Sequence, residues 1–244
     1  GEYMSYYSDR FGFNNPNYEW DNKEPDYFLI GDSFTHGWST QEKEDIGGQL
    51  RELDNKSVIN VGIAGNGPLR EFASYVEYTK LIKPKNVIWF YFEGNDLIGG
   101  REDLKTEKKV SVLNRYLLSE FSQNLISNQI KVDKYLNEVF LEYVDYQNSY
   151  ARNYTFNKIK KFVVLSNIRR LLSIDKGQKK EVFIDPLFYE IINRTQSLVR
   201  DSGGNFYFFY LPQIERYTSS EINHDKYRKK EELLLGLKSF GINT

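Results

Sequence analysis

Short apolar runs separated by longer amphipathic segments form the main pattern of this chain. Four runs have the length and composition of buried strands: residues 27–30, 58–61, 87–92 and 205–211. Four longer segments carry apolar residues near helical spacing: residues 40–54, 68–82, 184–200 and 225–240. Because strands alternate with helices, the pattern predicts an α/β fold with a parallel sheet.

Two stretches do not fit this alternation. Residues 1–26 are polar and rich in Asn and Tyr, and we expect them to form an extended lead-in that packs on the sheet before the first strand. Residues 99–186 are longer than one crossover helix requires; they begin with a charged linker at 101–109 and then show helical spacing. Three segments carry that spacing: residues 112–130, 132–146 and 156–172. We interpret 99–186 as a helical insertion within a single domain of residues 1–244, forming either a cap over the site or a dimerisation surface.

Each of the first three strands ends in residues suited to acyl chemistry. Ser33 follows the first strand in a Gly-Asp-Ser turn, Gly65 lies in the glycine-rich turn after the second, and Asn95 follows the third in a Gly-Asn-Asp turn. The carboxyl ends of parallel strands share the edge at which open α/β sheets bind ligands. We therefore expect the Ser33 hydroxyl, the Gly65 amide and the Asn95 carboxamide to converge as a nucleophile and an oxyanion hole. The alternative is three unrelated turns, since Gly and Asn are common turn residues.

These three segments resemble the first three sequence blocks of the SGNH, or GDSL-like, hydrolases. The resemblance implies a flavodoxin-like three-layer α/β/α sandwich and esterase or acyl-transfer chemistry. It implies that Ser33 is the nucleophile and that the Ser33 and Gly65 N–H groups, with the Asn95 side-chain amide, form the oxyanion hole. It covers the strand order through about residue 212 but not the insertion. Residues 9–16 also resemble a stretch found in members linked to bacterial surface polysaccharides, which favours the cell envelope over the cytoplasm.

The family's fourth block, Asp-x-x-His, supplies a general base and the carboxylate that orients it. The chain has two histidines, His36 and His224. Glu221 and His224 have the spacing of the fourth block, but they precede the helix that leads to a fifth strand instead of following that strand. We expect the base, with the last strand and helix of the fold, to lie beyond Thr244, and His224 is the alternative. His36, three residues after Ser33, is expected to line the pocket or to pack.

The composition narrows the classes of partner. The chain has 33 basic and 34 acidic residues, a net charge of −1, which predicts no general attraction to nucleic acid or to an anionic membrane. It has no cysteine, so thiolate catalysis, disulfides and Cys-based metal sites are excluded, and two distant histidines argue against a His-rich zinc site. We expect no cofactor. No apolar run approaches the roughly 20 residues of a membrane-spanning helix.

The sequence thus predicts a serine esterase or O-acyltransferase that acts on acyl esters, acetyl esters above all, of carbohydrates or on small esters, without metal or cofactor. Two other functions stay open. The unmatched fourth block favours a non-catalytic carbohydrate-binding or scaffold module on a degenerate hydrolase fold. A lipase-like enzyme for long acyl chains uses the same nucleophile, and a preference for acyl-chain length would distinguish it.

Overall fold

Four strands form one parallel sheet at the centre of the chain. The computed structural model describes residues 7–40, 43–94, 104–152, 184–218 and 224–242. The strands are β1 (Tyr27–Ile30), β2 (Val58–Asn60), β3 (Asn86–Phe92) and β4 (Asn205–Leu211). They lie in the order β2-β1-β3-β4, and every pairing is parallel. The predicted α/β fold with a parallel sheet is confirmed, and its helix-flanked arrangement is that of flavodoxin-like layered folds.

Helices connect and flank the strands. They are α1 (Ser33–His36), α2 (Ile46–Asp54), α3 (Pro68–Tyr78), α4 (Leu104–Glu107), α5 (Ser111–Leu118), α6 (Gln129–Arg152), α7 (Pro186–Asp201), α8 (Glu215–Thr218) and α9 (His224–Ser239).

Helices α2 and α7 begin later than the sequence pattern predicts, and their N-terminal capping residues explain where they begin. The side chain of Asp45 accepts a hydrogen bond from Gly48 N–H, so α2 begins at Ile46 and not near residue 40. Asp185 caps α7 in the same way, and Pro186 occupies its first position. The continuous helix predicted over 112–130 is wrong: α5 ends at Leu118, and the next helix begins at Gln129.

The two faces of the sheet pack against different helices. Leu29 belongs to a buried cluster that the α2 residues Ile46 and Leu50 cover. Phe28 points to the opposite face, where its ring lies 6.0 Å from the ring of Tyr75 on α3. This alternation follows from the two-residue period of a strand. Each fully buried large apolar side chain of this core stabilises the fold by about 1.5–3 kcal/mol.

The N-terminal lead-in packs on the sheet, but its predicted extended conformation is wrong. Residues Asn17–Asp21 form a 3₁₀-helix that buries Trp20, whose indole N–H donates to Asp9 at 2.7 Å. The Asn15 carboxamide exchanges two hydrogen bonds of 2.8 Å with the backbone of Asn60, as a neighbouring strand would. The lead-in thereby covers the outer edge of β2, a common way of protecting an edge strand.

The chain divides into two compact units, one of residues 1–124 with 182–244 and one of residues 125–181. The sheet and the first part of the insertion, α4 and α5, belong to the first unit. There Glu77, buried on α3, accepts hydrogen bonds from the Tyr116 hydroxyl and from Gln123 N–H, each at 2.6 Å. The second unit is described for residues 125–152, which are a turn followed by α6. The helix predicted at 156–172 lies outside the described residues.

Among the described residues, no helix has both the length and the apolar character that a membrane-spanning segment requires.

Candidate functional site

The order of the strands places a topological switch point beside Ser33. The chain leaves β1 for β2 on one side and then crosses to β3 on the other side of β1. Such a reversal between neighbouring parallel strands opens a ligand-binding crevice at their carboxyl ends. Ser33 is the first residue of α1 and follows β1 after two residues. The structure therefore puts this hydroxyl at the edge of the sheet where the sequence predicts a site.

The turn at Ser33 is held by its neighbours. The Asp32 carboxylate accepts a hydrogen bond from Phe34 N–H at 3.0 Å and one from the Ser33 hydroxyl at 3.4 Å. Gly31 is required here, because a Cβ at this position would lie 2.9 Å from the backbone oxygen of Phe90 on the adjacent strand. Ser33 is half-buried, whereas Asp32 is buried. The serine side chain is thus partly accessible, on a turn that the Asp32 hydrogen bonds and the close packing of Gly31 hold in place.

The loop after β2 lies against α1. Buried Asn60 bridges the two elements: its oxygen accepts from Gly62 N–H at 2.8 Å, and its amide donates to the backbone oxygen of Thr35. The Gly62 backbone is so close to α1 that a Cβ added to Gly62 would lie 2.6 Å from the backbone nitrogen of His36. Gly65 follows with a φ of +90°, a conformation that glycine adopts without strain. Hydrogen bonds and close backbone packing therefore hold the loop that contains Gly65 against α1, which contains Ser33.

The His36 side chain also connects α1 to the loop after β2. Its Nδ1 accepts a hydrogen bond from Ala64 N–H at 3.3 Å, and the ring is buried. Burial lowers the pKa of His36, and the charge of Asp45 opposes that shift only in part. An acceptor role for Nδ1 places the proton of the neutral ring on Nε2. In this arrangement His36 packs beneath the loop that leads to Gly65.

Aromatic contact joins the end of β3 to α1. The ring of Phe34, next to Ser33, lies 4.2 Å from the ring of Phe92, the last residue of β3. Gly94 follows, packed so closely that a Cβ would meet the Phe92 ring. Asn95, the predicted third oxyanion donor, lies outside the described residues, as does Asp96. The residues immediately before Asn95 are thus beside the turn that carries Ser33.

A buried ion pair, which the sequence analysis did not single out, holds the end of β3. Glu93 is buried and pairs with Arg216 of α8, whose Nε donates to it at 3.1 Å. Gln213 N–H donates to the same carboxylate at 3.0 Å. Burial by itself would raise the pKa of Glu93, but the hydrogen bonds from Arg216, Tyr210 and Gln213 and the arginine charge together lower it. The pair ties the loop before Asn95 to the segment after β4.

Glu107 is a second buried carboxylate that the sequence reading missed. The charged run at 101–109 predicts a linker, yet Glu107 at the end of α4 is 0% exposed. It accepts hydrogen bonds at 2.8–3.3 Å from the N–H groups of Gly67, Leu69 and Arg70, at the beginning of α3. Burial raises the pKa of Glu107, while these hydrogen bonds and the Arg70 charge act in the opposite direction. A carboxylate supplied by the insertion therefore caps the helix that follows the Gly65 loop.

For His224, the alternative general base, the structure describes the backbone position. His224 is the first residue of α9, and Glu221 lies outside the described residues. The helix predicted to follow His224 is present, and it ends before Gly241, whose φ of +71° is typical of a helix C-terminus. Within the described ranges, no group of three or more His, Asp or Glu side chains is arranged to hold a metal ion.

A separate groove of about 380 Å³ lies between the lead-in and α2. Asn17, Tyr18, Lys43 and Glu52 are among the residues that line it, and Ser33 is not. Arg51, which lines the groove, already donates hydrogen bonds to Glu19, Asn15 and the backbone oxygen of Val58. The groove therefore lies where the lead-in crosses α2, and it adds no group to the Ser33 site.

No protein-family model, curated protein or solved structure matches this chain. The resemblance to SGNH hydrolases therefore rests on the three motifs at Ser33, Gly65 and Asn95 and on the strand order that connects them.

Proposed function

We propose that this chain is an SGNH-type serine esterase or O-acyltransferase that acts on acyl esters of carbohydrates. The observation that carries the proposal is the set of hydrogen bonds that holds the Gly62–Gly65 loop against α1 beside Ser33, where the strand order reverses between β1 and β3. A hydroxyl at a helix N-terminus with a second loop of backbone amides close by suits the capture of an ester carbonyl.

In the proposed reaction, Ser33 Oγ attacks the ester carbonyl carbon while a base takes its proton. The negative charge that forms on the carbonyl oxygen is stabilised by the N–H groups of Ser33 and Gly65 and by the Asn95 side-chain amide. The alcohol leaves with a proton, and an acyl group remains on Ser33. Water then releases the acid, or a sugar hydroxyl takes the acyl group, and Ser33 regains its proton.

The base is a histidine in this scheme. His36 is a poor candidate because its Nδ1 accepts the Ala64 N–H and its ring is buried under the loop. Substitution His224→Ala tests the other histidine of the chain. If hydrolysis falls to the level of Ser33→Ala, His224 is the base; if hydrolysis is unchanged, the base lies elsewhere.

Exposed aromatic groups near Ser33 support a carbohydrate substrate. The side chain of Trp38, in the turn after α1, is 64% exposed, and the backbone N–H of Trp38 donates to the backbone oxygen of Ser33 at 3.0 Å. Phe34 and Ile63 are also exposed next to the turns that carry the candidate groups. Flat amphipathic rings at the border of a polar site are suited to the apolar faces of sugars.

The proposal is tested by ester hydrolysis with purified variants of the full chain. Ser33→Ala should abolish hydrolysis of p-nitrophenyl acetate, and Asn95→Ala should reduce kcat about a hundredfold or more. Ser39→Ala is the matched control, because Ser39 is exposed and only six residues from Ser33. Hydrolysis by Ser33→Ala at the wild-type rate would refute the proposal.

A non-catalytic carbohydrate-binding module is the second candidate, favoured by the absence of an Asp-x-x-His segment from the 244 residues. That function predicts no hydrolysis by the wild-type chain and equal binding of an acetylated oligosaccharide by wild type and Ser33→Ala.

A further inference from the structure

The loop between β2 and α3 pairs all but one of its backbone N–H groups. Among the described residues, the N–H groups of residues 61–64, 66 and 67 donate, in that order, to Leu29, Asn60, Gly31, His36, Ile63 and Glu107. Within the same described part of the chain, Gly65 N–H has no acceptor, and Gly65 is half-buried. A backbone donor without an acceptor in the chain is tolerated where water or a ligand reaches it. The N–H that the sequence predicts to be an oxyanion donor is therefore the one that the loop keeps unpaired.

Two anchors hold this loop, one on each side of Gly65. Before Gly65, Ala64 N–H donates to the His36 ring on α1. After it, Gly67 N–H donates to the Glu107 carboxylate at 3.0 Å. Gly65 is one residue from the first anchor and two residues from the second, so its N–H has little freedom to move. A donor that stabilises a transition state needs this restraint, because its contribution depends on its position.

The second anchor comes from the insertion and replaces a missing helix cap. Gly67 is the N-cap residue of α3, and it has no side chain to accept the N–H groups at the beginning of that helix. The Glu107 carboxylate accepts those of Leu69 and Arg70 instead, at 2.8 and 3.3 Å. Its bond to Gly67 reaches beyond the helix into the loop. One buried carboxylate thus joins the insertion to both α3 and the Gly65 loop.

We propose that Glu107 is a positioning residue that holds the Gly65 N–H in place for the developing oxyanion. The proposal rests on the proposed function for the role of Gly65, and it adds that the insertion, through α4, supports the oxyanion hole. Without the Glu107 carboxylate, the loop loses its anchor after Gly65, and the Gly65 N–H occupies several positions. An interaction made mainly in the transition state is then weakened, while binding of the ester in its ground state changes little.

Ester kinetics of purified variants of the full chain provide the first test. Glu107→Ala should lower kcat for p-nitrophenyl acetate about tenfold or more and leave KM unchanged. Glu107→Gln keeps an amide oxygen that can accept Gly67 N–H, and it should retain most of the activity. Each variant is assayed at a temperature at which its circular dichroism is that of the folded chain, so that unfolding does not contribute to the loss.

Tyr116→Phe is the matched control. It removes a buried hydrogen bond between the insertion and Glu77, at the other end of α3, and makes no change near the Gly65 loop. Tyr116→Phe should keep the wild-type kcat although it lowers stability. Wild-type kcat in Glu107→Ala, or an equal loss of kcat in Tyr116→Phe, would overturn the proposal.

Nuclear magnetic resonance of the Gly65 amide gives a second test that does not depend on catalysis. In ¹⁵N-labelled wild type and Tyr116→Phe, the Gly65 resonance should be narrow and at the same position. In Glu107→Ala it should shift or broaden through microsecond-to-millisecond exchange, which relaxation dispersion detects. An unchanged Gly65 resonance in Glu107→Ala would overturn the proposal. A wild type that hydrolyses no ester would refute the proposed function, and the Gly65 resonance would still decide whether Glu107 positions this N–H.

Discussion

Glu93 and Arg216 form a buried ion pair across 123 residues of sequence, directly after β3 ends and two residues before Asn95. The pair joins the carboxyl ends of β3 and β4 and leaves little freedom to the residues just before Asn95. A carboxamide that stabilises a transition state must be held in position, since small displacements cost large factors in rate.

The first prediction concerns the stability that this pair provides. Arg216→Ala leaves the Glu93 carboxylate buried without its partner, and we expect the free energy of unfolding in urea to fall by about 3–5 kcal/mol. Arg216→Lys, which keeps the charge but not the forked geometry, should lose less. A loss below about 0.5 kcal/mol in Arg216→Ala, the range of ordinary surface substitutions, would contradict this account.

The same pair predicts a loss of stability in acid. The pKa of Glu93 is lower in the folded chain than its ordinary value of 4.5. The unfolded chain therefore takes up a proton before the folded chain does, and stability that is complete above pH 4.5 declines as the pH falls through the folded pKa. Glu93→Gln should flatten this part of the curve of unfolding free energy against pH. An equally steep decline in both proteins would show that other carboxylates cause it.

Glu107 offers a test of the insertion's role. Glu107→Ala leaves the N–H groups of Gly67, Leu69 and Arg70 without their acceptor, and we expect a loss of about 2–4 kcal/mol in unfolding free energy. Glu120→Ala, an exposed glutamate at the end of α5, is the control and should change stability by less than about 0.5 kcal/mol. Equal effects of the two substitutions would mean that the cap on α3 contributes nothing.

His36 predicts a change with pH near neutrality. Its pKa in the folded chain is below the ordinary 6.5, so the unfolded chain binds a proton first as the pH falls. The free energy of unfolding should therefore decrease as the pH is lowered below about 6.5, until the folded pKa is passed. His36→Asn, whose side-chain oxygen replaces Nδ1 as acceptor for Ala64 N–H, should remove this part of the slope. A slope that persists in His36→Asn would contradict the assignment.

Trp38 distinguishes a carbohydrate ester from a small ester as substrate. Trp38→Ala should raise KM for an acetylated oligosaccharide several-fold, because the exposed ring is expected to stack on the sugar. The same variant should hydrolyse p-nitrophenyl acetate with unchanged kcat/KM. Equal changes for both substrates would indicate that Trp38 supports the turn at Ser33 and does not contact the sugar.

The strands could be predicted from sequence because their apolar runs are short, uninterrupted and bounded by residues that break regular structure, as Gly31 ends β1. The position of Ser33 at the start of a helix also followed from local sequence. The 3₁₀-helix at 17–21 could not be predicted, since its stability comes from contacts such as Trp20 with Tyr78, which are remote in sequence.

Glu93 and Glu107 were missed for a related reason. A charged residue in a polar run has the pattern of a solvated side chain, and only the fold reveals that Glu107 meets the amides of α3 or that Glu93 meets Arg216. The partner of a buried charge is set by tertiary structure and leaves no periodic signal.

The most direct test of the central claim is the mass of the full chain after reaction with a fluorophosphonate, which labels activated serine hydroxyls. We predict one adduct per chain, located by peptide mapping at Ser33, with loss of p-nitrophenyl acetate hydrolysis in proportion to labelling. The adduct should persist in Ser39→Ala and be absent from Ser33→Ala. An unlabelled Ser33 in a chain that still hydrolyses the ester, or an adduct on another serine, would contradict the account.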